Sequence, residues 1–98
     1  MSVKSLRAIH PGEFVAELLG ELGLSQAAMA RAIGVSPMRI SHVVKGMRPV
    51  TAELALLFGR AFGQSPQYWL NLQARYDLAI AEASLRPRLR AVQSLTAA

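Results

Sequence analysis

The sequence predicts one all-α domain of five helices, with a central helix-turn-helix and a long C-terminal helix. Apolar residues recur at helical spacing, and no segment shows the alternation of a half-buried strand. Corners of the form Gly-x-Ser occur three times, at residues 23–26, 34–37 and 63–66. In each corner the Gly can end one helix and the Ser can cap the next. A chain of 98 residues is long enough for one domain with one core.

Start and stop signals place the helices along the chain. Residues 1–9 form a flexible lead-in, and Pro11 fits the first position of a helix, where its missing N–H costs nothing. The predicted helices, numbered α1 to α5 in chain order, are residues 11–22, 26–33, 37–45, 52–62 and 66 to about 84. The apolar stripe of α1 consists of Phe14, Val15, Leu18, Leu19 and Leu22.

Two helices carry apolar residues on more than one face. α4 is apolar on nearly every side, which predicts a central position, and Gly59 within it predicts the close approach of another helix. α5 has two apolar stripes, although a single core needs only one. The stripes are Trp69, Leu72, Tyr76, Ile80 and Ala83, and then Leu70, Ala74, Leu78, Ala81 and Leu85. Pro87 disfavours continuation of the helix, so residues 86–98 are predicted to form a basic tail, either a short extra helix or disordered.

The charge balance of the chain suggests a polyanionic partner. Eleven Lys and Arg against six Asp and Glu give a net charge of +5, which favours nucleic acid over a membrane surface. A solubilising surface charge is the alternative. There is no cysteine and hence no disulfide framework. A signal peptide and an apolar run of ~18 residues are both lacking, so we expect a cytoplasmic protein without a membrane span.

The segment 25–46 has the residue types that a DNA-binding helix-turn-helix requires. Ala30 is small where the two helices cross, and Gly34 tolerates the positive φ of the turn. Ile40 and Val43 are spaced to fix the second helix to the core. A purely structural helix-helix corner is the alternative, which the basic charge of the chain disfavours.

The exposed face of α3 carries the candidate DNA-binding residues. At about 100° per residue, this face lies opposite the buried side that Ile40 and Val43 define. Arg39 can donate bidentately to guanine or hold a phosphate. The predicted base readers are Ser36, Met38, Arg39, Ser41 and His42, and the predicted phosphate contacts are Gln26, Lys45 and Arg48. For His42, an exposed polar residue without a role is the alternative.

Glu13, Glu17 and Glu21 recur at every fourth position of α1 and form one acidic stripe, called the acidic ridge below. Phosphate would repel it, so it should face away from DNA. It is either a docking surface for a basic protein or a solvated helix face. Two His and no Cys offer no metal-ligand spacing, and no catalytic constellation or phosphate-binding glycine loop is present. We therefore expect neither an enzyme nor a cofactor.

Further motifs make the chain resemble the HigA-type antitoxins, phage-repressor-like helix-turn-helix proteins. They are IHPGE at residues 9–13, KGMRPVT at residues 45–51, and FGQSPQYWLNLQ at residues 62–73, followed by YDL. This combination is more specific than the helix-turn-helix alone. The resemblance covers about residues 6–78, and the chain from residue 85 onward matches no pattern.

The resemblance implies a toxin–antitoxin pair. Members neutralise a small basic messenger-RNA-cleaving toxin, dimerise through the C-terminal helix and repress their own operon by binding its operator, here expected to be a near-palindrome of double-stranded DNA. The second stripe of α5 is then the dimer seam, and the acidic ridge fits the toxin. One alternative is a solitary repressor of the same fold without a toxin. Another is a protein-interaction module that has lost DNA binding, which Arg39, His42 and Lys45 argue against.

Overall fold

The computed structural model describes residues 8–96, and these form five α-helices and no strand. The predicted all-α fold is confirmed. The helices are Pro11–Leu22 for α1, Gln26–Ile33 for α2, Pro37–Val44 for α3, Ala52–Phe62 for α4 and Pro66–Ala91 for α5. The lead-in predicted for residues 1–9 lies largely outside the described residues. No helix within residues 8–96 is long and apolar enough to span a membrane.

The three Gly-x-Ser corners explain why the helices begin where the sequence predicts. At the second corner, Gly34 adopts a φ of 75° and a ψ of 32°, a left-handed conformation that side chains disfavour. The Ser36 Oγ then accepts a hydrogen bond of 3.1 Å from the backbone N–H of Arg39 and caps α3. The corners at residues 23–25 and 63–65 pair a left-handed Gly with a capping Ser in the same way.

α4 contributes to the core, but the prediction that it is central is only partly right, because Leu56 is 61% exposed. α4 packs against α5 and α2, and Phe58 meets Trp69 of α5 edge-on, with ring centroids 5.2 Å apart. The predicted stripe of α1 is only partly right, because no described element covers the end of that helix and Leu22 is 57% exposed. The buried apolar side chains are Val15, Leu19, Met29, Ala30, Ile40, Val43, Val50, Leu54, Ala55, Phe58 and Trp69.

Gly59 makes room for the turn that leads into α5, so the prediction that another helix approaches it is only partly right. A Cβ atom at this position would lie 2.5 Å from the carbonyl oxygen of Gln64 and 3.2 Å from the backbone nitrogen of Pro66. The close neighbour is therefore the corner between α4 and α5, which folds back over the end of α4. The Trp69 Nε1 donates to the Gln64 Oε1 at 2.8 Å and holds this corner in place.

α5 is longer than predicted. It runs through Pro87 to Ala91, so its predicted end near residue 85 is wrong, and residues 86–91 of the basic tail are helical. Pro87 removes one backbone hydrogen bond, but the freed carbonyl is open to water and the flanking Leu, Arg and Ala residues are good helix formers. The 26 residues of α5 span about 39 Å. All of residues 80–91 are exposed, so the outer part of α5 projects beyond the core.

Candidate nucleic-acid interface

Packing on two sides fixes the orientation of α3. Ala30 of α2 and Ile40 and Val43 of α3 are fully buried, as the helix-turn-helix prediction requires. Gly12, at the start of α1, lies against the end of α3, and a Cβ atom there would overlap the carbonyl oxygen of Val43. α1 can approach α3 this closely only because residue 12 has no side chain. One side of α3 is thus held in the core, and the opposite side faces outward.

A shallow concavity of about 120 Å³ lies on the outward side of α3. The side chain of Met38 is 67% exposed there, which leaves its thioether available to an apolar group such as a thymine methyl. Arg48 comes from the loop after α3, so this loop extends the surface of the helix. The concavity brings together five of the eight predicted DNA-binding residues, namely Ser36, Met38, Arg39, His42 and Arg48.

The other three predicted DNA-binding residues do not line this concavity. Ser41 is half-buried within α3, and Lys45 is exposed as the C-terminal capping residue of the same helix. Gln26 is half-buried at the first position of α2, where backbone N–H groups are free for a phosphate. The assignment of these residues to DNA contacts stays a prediction.

Arg39 has a partner that the sequence did not reveal. Its Nη2 donates to the Oε1 of Glu53 at 2.8 Å, which forms an ion pair between α3 and the first turn of α4. The two side chains are 28% and 64% exposed. They are 14 residues apart in the chain and lie on different helices, so no local spacing signals the pair. Glu53 is therefore absent from the predicted site.

His10, which is not among the predicted site residues, caps α1. Its Nδ1 accepts a hydrogen bond of 2.9 Å from the N–H of Gly12, and its ring lies edge-on to Tyr76 at a centroid distance of 4.9 Å. Burial lowers the pKa of His10, while the backbone of Arg48 and nearby carboxylates act in the opposite direction. The position of His10 directly before Pro11, at the predicted start of α1, was the sequence signal that could have indicated this capping role.

Gln73 ties α5 to the loop that carries Arg48. Its side chain is buried, its Oε1 accepts a hydrogen bond of 2.7 Å from the N–H of Val50, and its Nε2 donates to Asp77 at 2.9 Å. Both ends of the buried amide are thus paired, as a buried polar group requires. The loop between α3 and α4 is consequently held from α5 on one side and from His10 on the other.

Comparison with known proteins agrees with this architecture. The sequence profile of the helix-turn-helix family matches residues 15–69. Antitoxin HigA-1 of Vibrio cholerae is 34% identical over 73 residues, which cover 74% of this chain and 69% of that protein. The chain belongs to the helix-turn-helix family of HigA-type antitoxins.

Two further proteins are similar to this chain. Virulence-associated protein I of Dichelobacter nodosus is 50% identical over 76 residues, which cover 76% of this chain and 70% of that protein. The structure of the Pseudomonas aeruginosa antitoxin HigA with the higBA promoter superimposes with a TM-score of 0.87 at 39% identity. The superposition covers 92% of this chain and 100% of that one, so the projecting α5 is included in large part.

The acidic ridge of this HigA-type antitoxin lies on the outward side of α1. Glu13, Glu17 and Glu21 are all exposed, and the opposite side of the helix is the one that buries Val15 and Leu19. Among the described residues, no three His, Cys, Asp or Glu side chains are close enough to hold a metal ion. The three exposed carboxylates of the ridge thus lie along one side of α1.

The predicted dimer seam runs along α5 and reaches its projecting part only at Ala81 and Leu85. Leu70 is half-buried against the core, whereas the other four seam residues are exposed, and Leu78 is 70% exposed. Three seam residues line an open groove of about 550 Å³. Leu89 joins them because α5 continues past Pro87, which the sequence did not predict. The groove is lined by Arg75, Leu78, Ala79, Ala81, Glu82, Leu85 and Leu89.

Proposed function

We propose that this HigA-type antitoxin represses its own operon as a homodimer bound to the operator and neutralises a small basic ribonuclease toxin. The DNA-binding part is carried by one observation, the grouping of Met38, Arg39, His42 and Arg48 in a concavity on the outward side of α3. The net charge of +5 supports a polyanionic partner. The promoter in the structure of the Pseudomonas aeruginosa relative supports an operator as that partner.

In the proposed complex, α3 lies in the major groove with its N-terminal residues toward the base edges. Met38 contacts a thymine methyl, and Ser41 and His42 form hydrogen bonds with base edges. Lys45 and Arg48 hold phosphates, which fix the register of the protein on the duplex without reading sequence. Because cationic side chains displace counterions from DNA, binding should weaken steeply as the salt concentration rises.

The proposed dimer places two copies of α3 on the two halves of a near-palindromic operator, about 34 Å apart. Burial of the exposed seam residues, Leu78 above all, against a second copy would remove apolar surface from water. Two-fold symmetry of the protein then requires two-fold symmetry of the bases.

The proposed toxin contact is the acidic ridge. Its three carboxylates are exposed on one side of α1 and are opposite in charge to a basic toxin. No predicted DNA-binding residue lies on α1. The two partners therefore have separate surfaces.

Co-expression with the neighbouring gene, followed by a gel shift on the shared upstream DNA, tests both parts of the proposal. Relief of the growth arrest that the neighbouring gene causes supports the antitoxin part. Specific and salt-sensitive retardation of the upstream DNA supports the repressor part, and its absence contradicts it. Retardation without relief of the arrest indicates a solitary repressor.

Charge reversal in Glu17→Lys separates the two surfaces. Capture of the toxin should weaken, while operator affinity stays at the wild-type level. Ala16→Lys is the control, since it adds a positive charge at the adjacent exposed position outside the ridge. Wild-type capture by Glu17→Lys would reduce the ridge to a solvated helix face.

A further inference from the structure

The ion pair between Arg39 and Glu53 has no part in the contacts proposed above. We propose that Glu53 is a specificity-determining positioning residue, which holds Arg39 toward the bases and away from the phosphates. The inference rests on the proposed operator binding. It decides between the two uses of Arg39 that the sequence leaves open.

The backbone and the guanidinium of Arg39 are both restrained. Arg39 is the third residue of α3, and its backbone N–H is bound by the capping Ser36 Oγ at 3.1 Å. Its Nη2 is held by the Glu53 Oε1 at 2.8 Å. This position lies in the N-terminal half of the recognition helix, which is the half that meets base edges.

The ion pair leaves the guanidinium able to read a base. A guanidinium carries several N–H donors in a planar fork, and Glu53 engages one of them. Within residues 8–96, no acceptor engages the remaining guanidinium donors of Arg39. The unused donors suffice for bidentate donation to the N7 and O6 of guanine.

Restraint of Arg39 should raise selectivity through two physical effects. A long side chain that is already ordered loses less rotamer freedom on binding its base. The carboxylate of Glu53 also repels phosphate, so it weakens a contact that every DNA sequence offers equally. Both effects lower non-specific affinity relative to operator affinity.

Glu53 also has an ordinary structural role, and the test must separate the two. In the first turn of α4 its negative charge is favourable toward the helix dipole. Loss of that interaction would lower stability in the free protein. It would not change the ratio between the affinities for two DNA sequences.

The test measures the affinity of the full dimeric protein for the operator and for a scrambled duplex of the same length, by fluorescence anisotropy. In Glu53→Gln, scrambled DNA should bind more tightly, and the operator-to-scrambled ratio should fall about tenfold, the size of one good base contact. Ala61→Lys is the control, because it raises the net charge by the same single unit at an exposed position of α4. It should leave the ratio unchanged.

The Arg39→Ala background shows whether Glu53 acts through Arg39. There, Glu53→Gln should change the ratio no further, and thermal denaturation of each variant checks that it is folded. A wild-type ratio in Glu53→Gln would overturn the inference alone, as would an equal fall in the Arg39→Ala background. A wild-type protein that does not prefer its operator would refute the proposed function, and the inference with it.

Discussion

At the scale of single residues, the proposed operator binding depends most on the side chain of Arg39. Arg39→Ala should weaken operator binding by ~1–3 kcal/mol, the usual contribution of a bidentate base contact. Because this substitution also leaves the Glu53 carboxylate unpaired beside DNA, the double variant with Glu53→Gln should lose less. A gel-shift titration measures both, with the exposed Arg60→Ala of α4 as a control of equal charge change. Unchanged affinity in Arg39→Ala would remove it from the interface.

His10 should make stability depend on pH in a defined direction. Its Nδ1 must be unprotonated to accept the Gly12 N–H, and burial lowers its pKa from 6.5. At pH values between the pKa of His10 in the folded chain and its pKa in the unfolded chain, the unfolded chain binds more protons. The stabilisation by the His10 cap is therefore complete above the unfolded pKa and is lost as the pH falls through the folded pKa. Asn caps helices without titrating. The melting temperature should thus fall more steeply with acidification in the wild type than in His10→Asn, and equal slopes would contradict this role.

The residues of the candidate nucleic-acid interface show which features the local sequence spacing predicts and which it does not. The exposure of Met38 was predictable, because helical spacing alone sets which side of α3 turns outward once Ile40 and Val43 are buried, and His42 lies half-buried on the same side. Glu53 was not predictable, because its contact with the interface depends on the angle at which α4 leaves the loop. That angle is set by tertiary packing, which no spacing encodes.

At the scale of helices, the approach of α1 to α3 depends on one missing side chain. Gly12→Ala should destabilise the protein by about 3 kcal/mol, because the new Cβ would meet rigid backbone at Val43 and cannot be accommodated by a rotamer change. Gly20→Ala in the same helix meets nothing within 4 Å and should stabilise by about 0.5–1 kcal/mol. Urea denaturation of the two variants measures both changes in the free energy of unfolding, including their opposite signs. A loss at residue 20, or none at residue 12, would contradict this packing.

Helix starts were predictable from the sequence and the last helix end was not. Each start is set by neighbouring residues, such as Ser36 followed by a proline, and these act whatever the fold. Pro87 is a local signal of the same kind, yet it fails because α5 is exposed there and its neighbours favour a helix. A glycine inside α4 indicates that other backbone lies close to it, which can belong to another helix or to a turn. Only the path of the chain at residues 64–66 shows which backbone lies against Gly59.

At the scale of the whole molecule, we expect the exposed apolar groove of α5 to control the proposed dimerisation. Leu78→Glu should raise the dissociation constant of the dimer by about 100-fold or more, because each protomer of a two-fold symmetric dimer would bury one new carboxylate at the seam. Sedimentation velocity measures this shift. Leu56→Glu is the matched control, since Leu56 of α4 is 61% exposed and lies outside the groove. A variant at residue 78 that stays dimeric would place the seam elsewhere.

An apolar groove on the outside of each protomer has a consequence for gene dosage. If the operator takes two protomers joined at this groove, its occupancy at low protein levels follows the square of the protomer concentration. Doubling the number of copies in a cell would then raise repression about fourfold in that range, by mass action. The exposed leucines of α5 would thereby make repression of the operon, and with it the synthesis of the protein, respond steeply to the concentration of the protein itself.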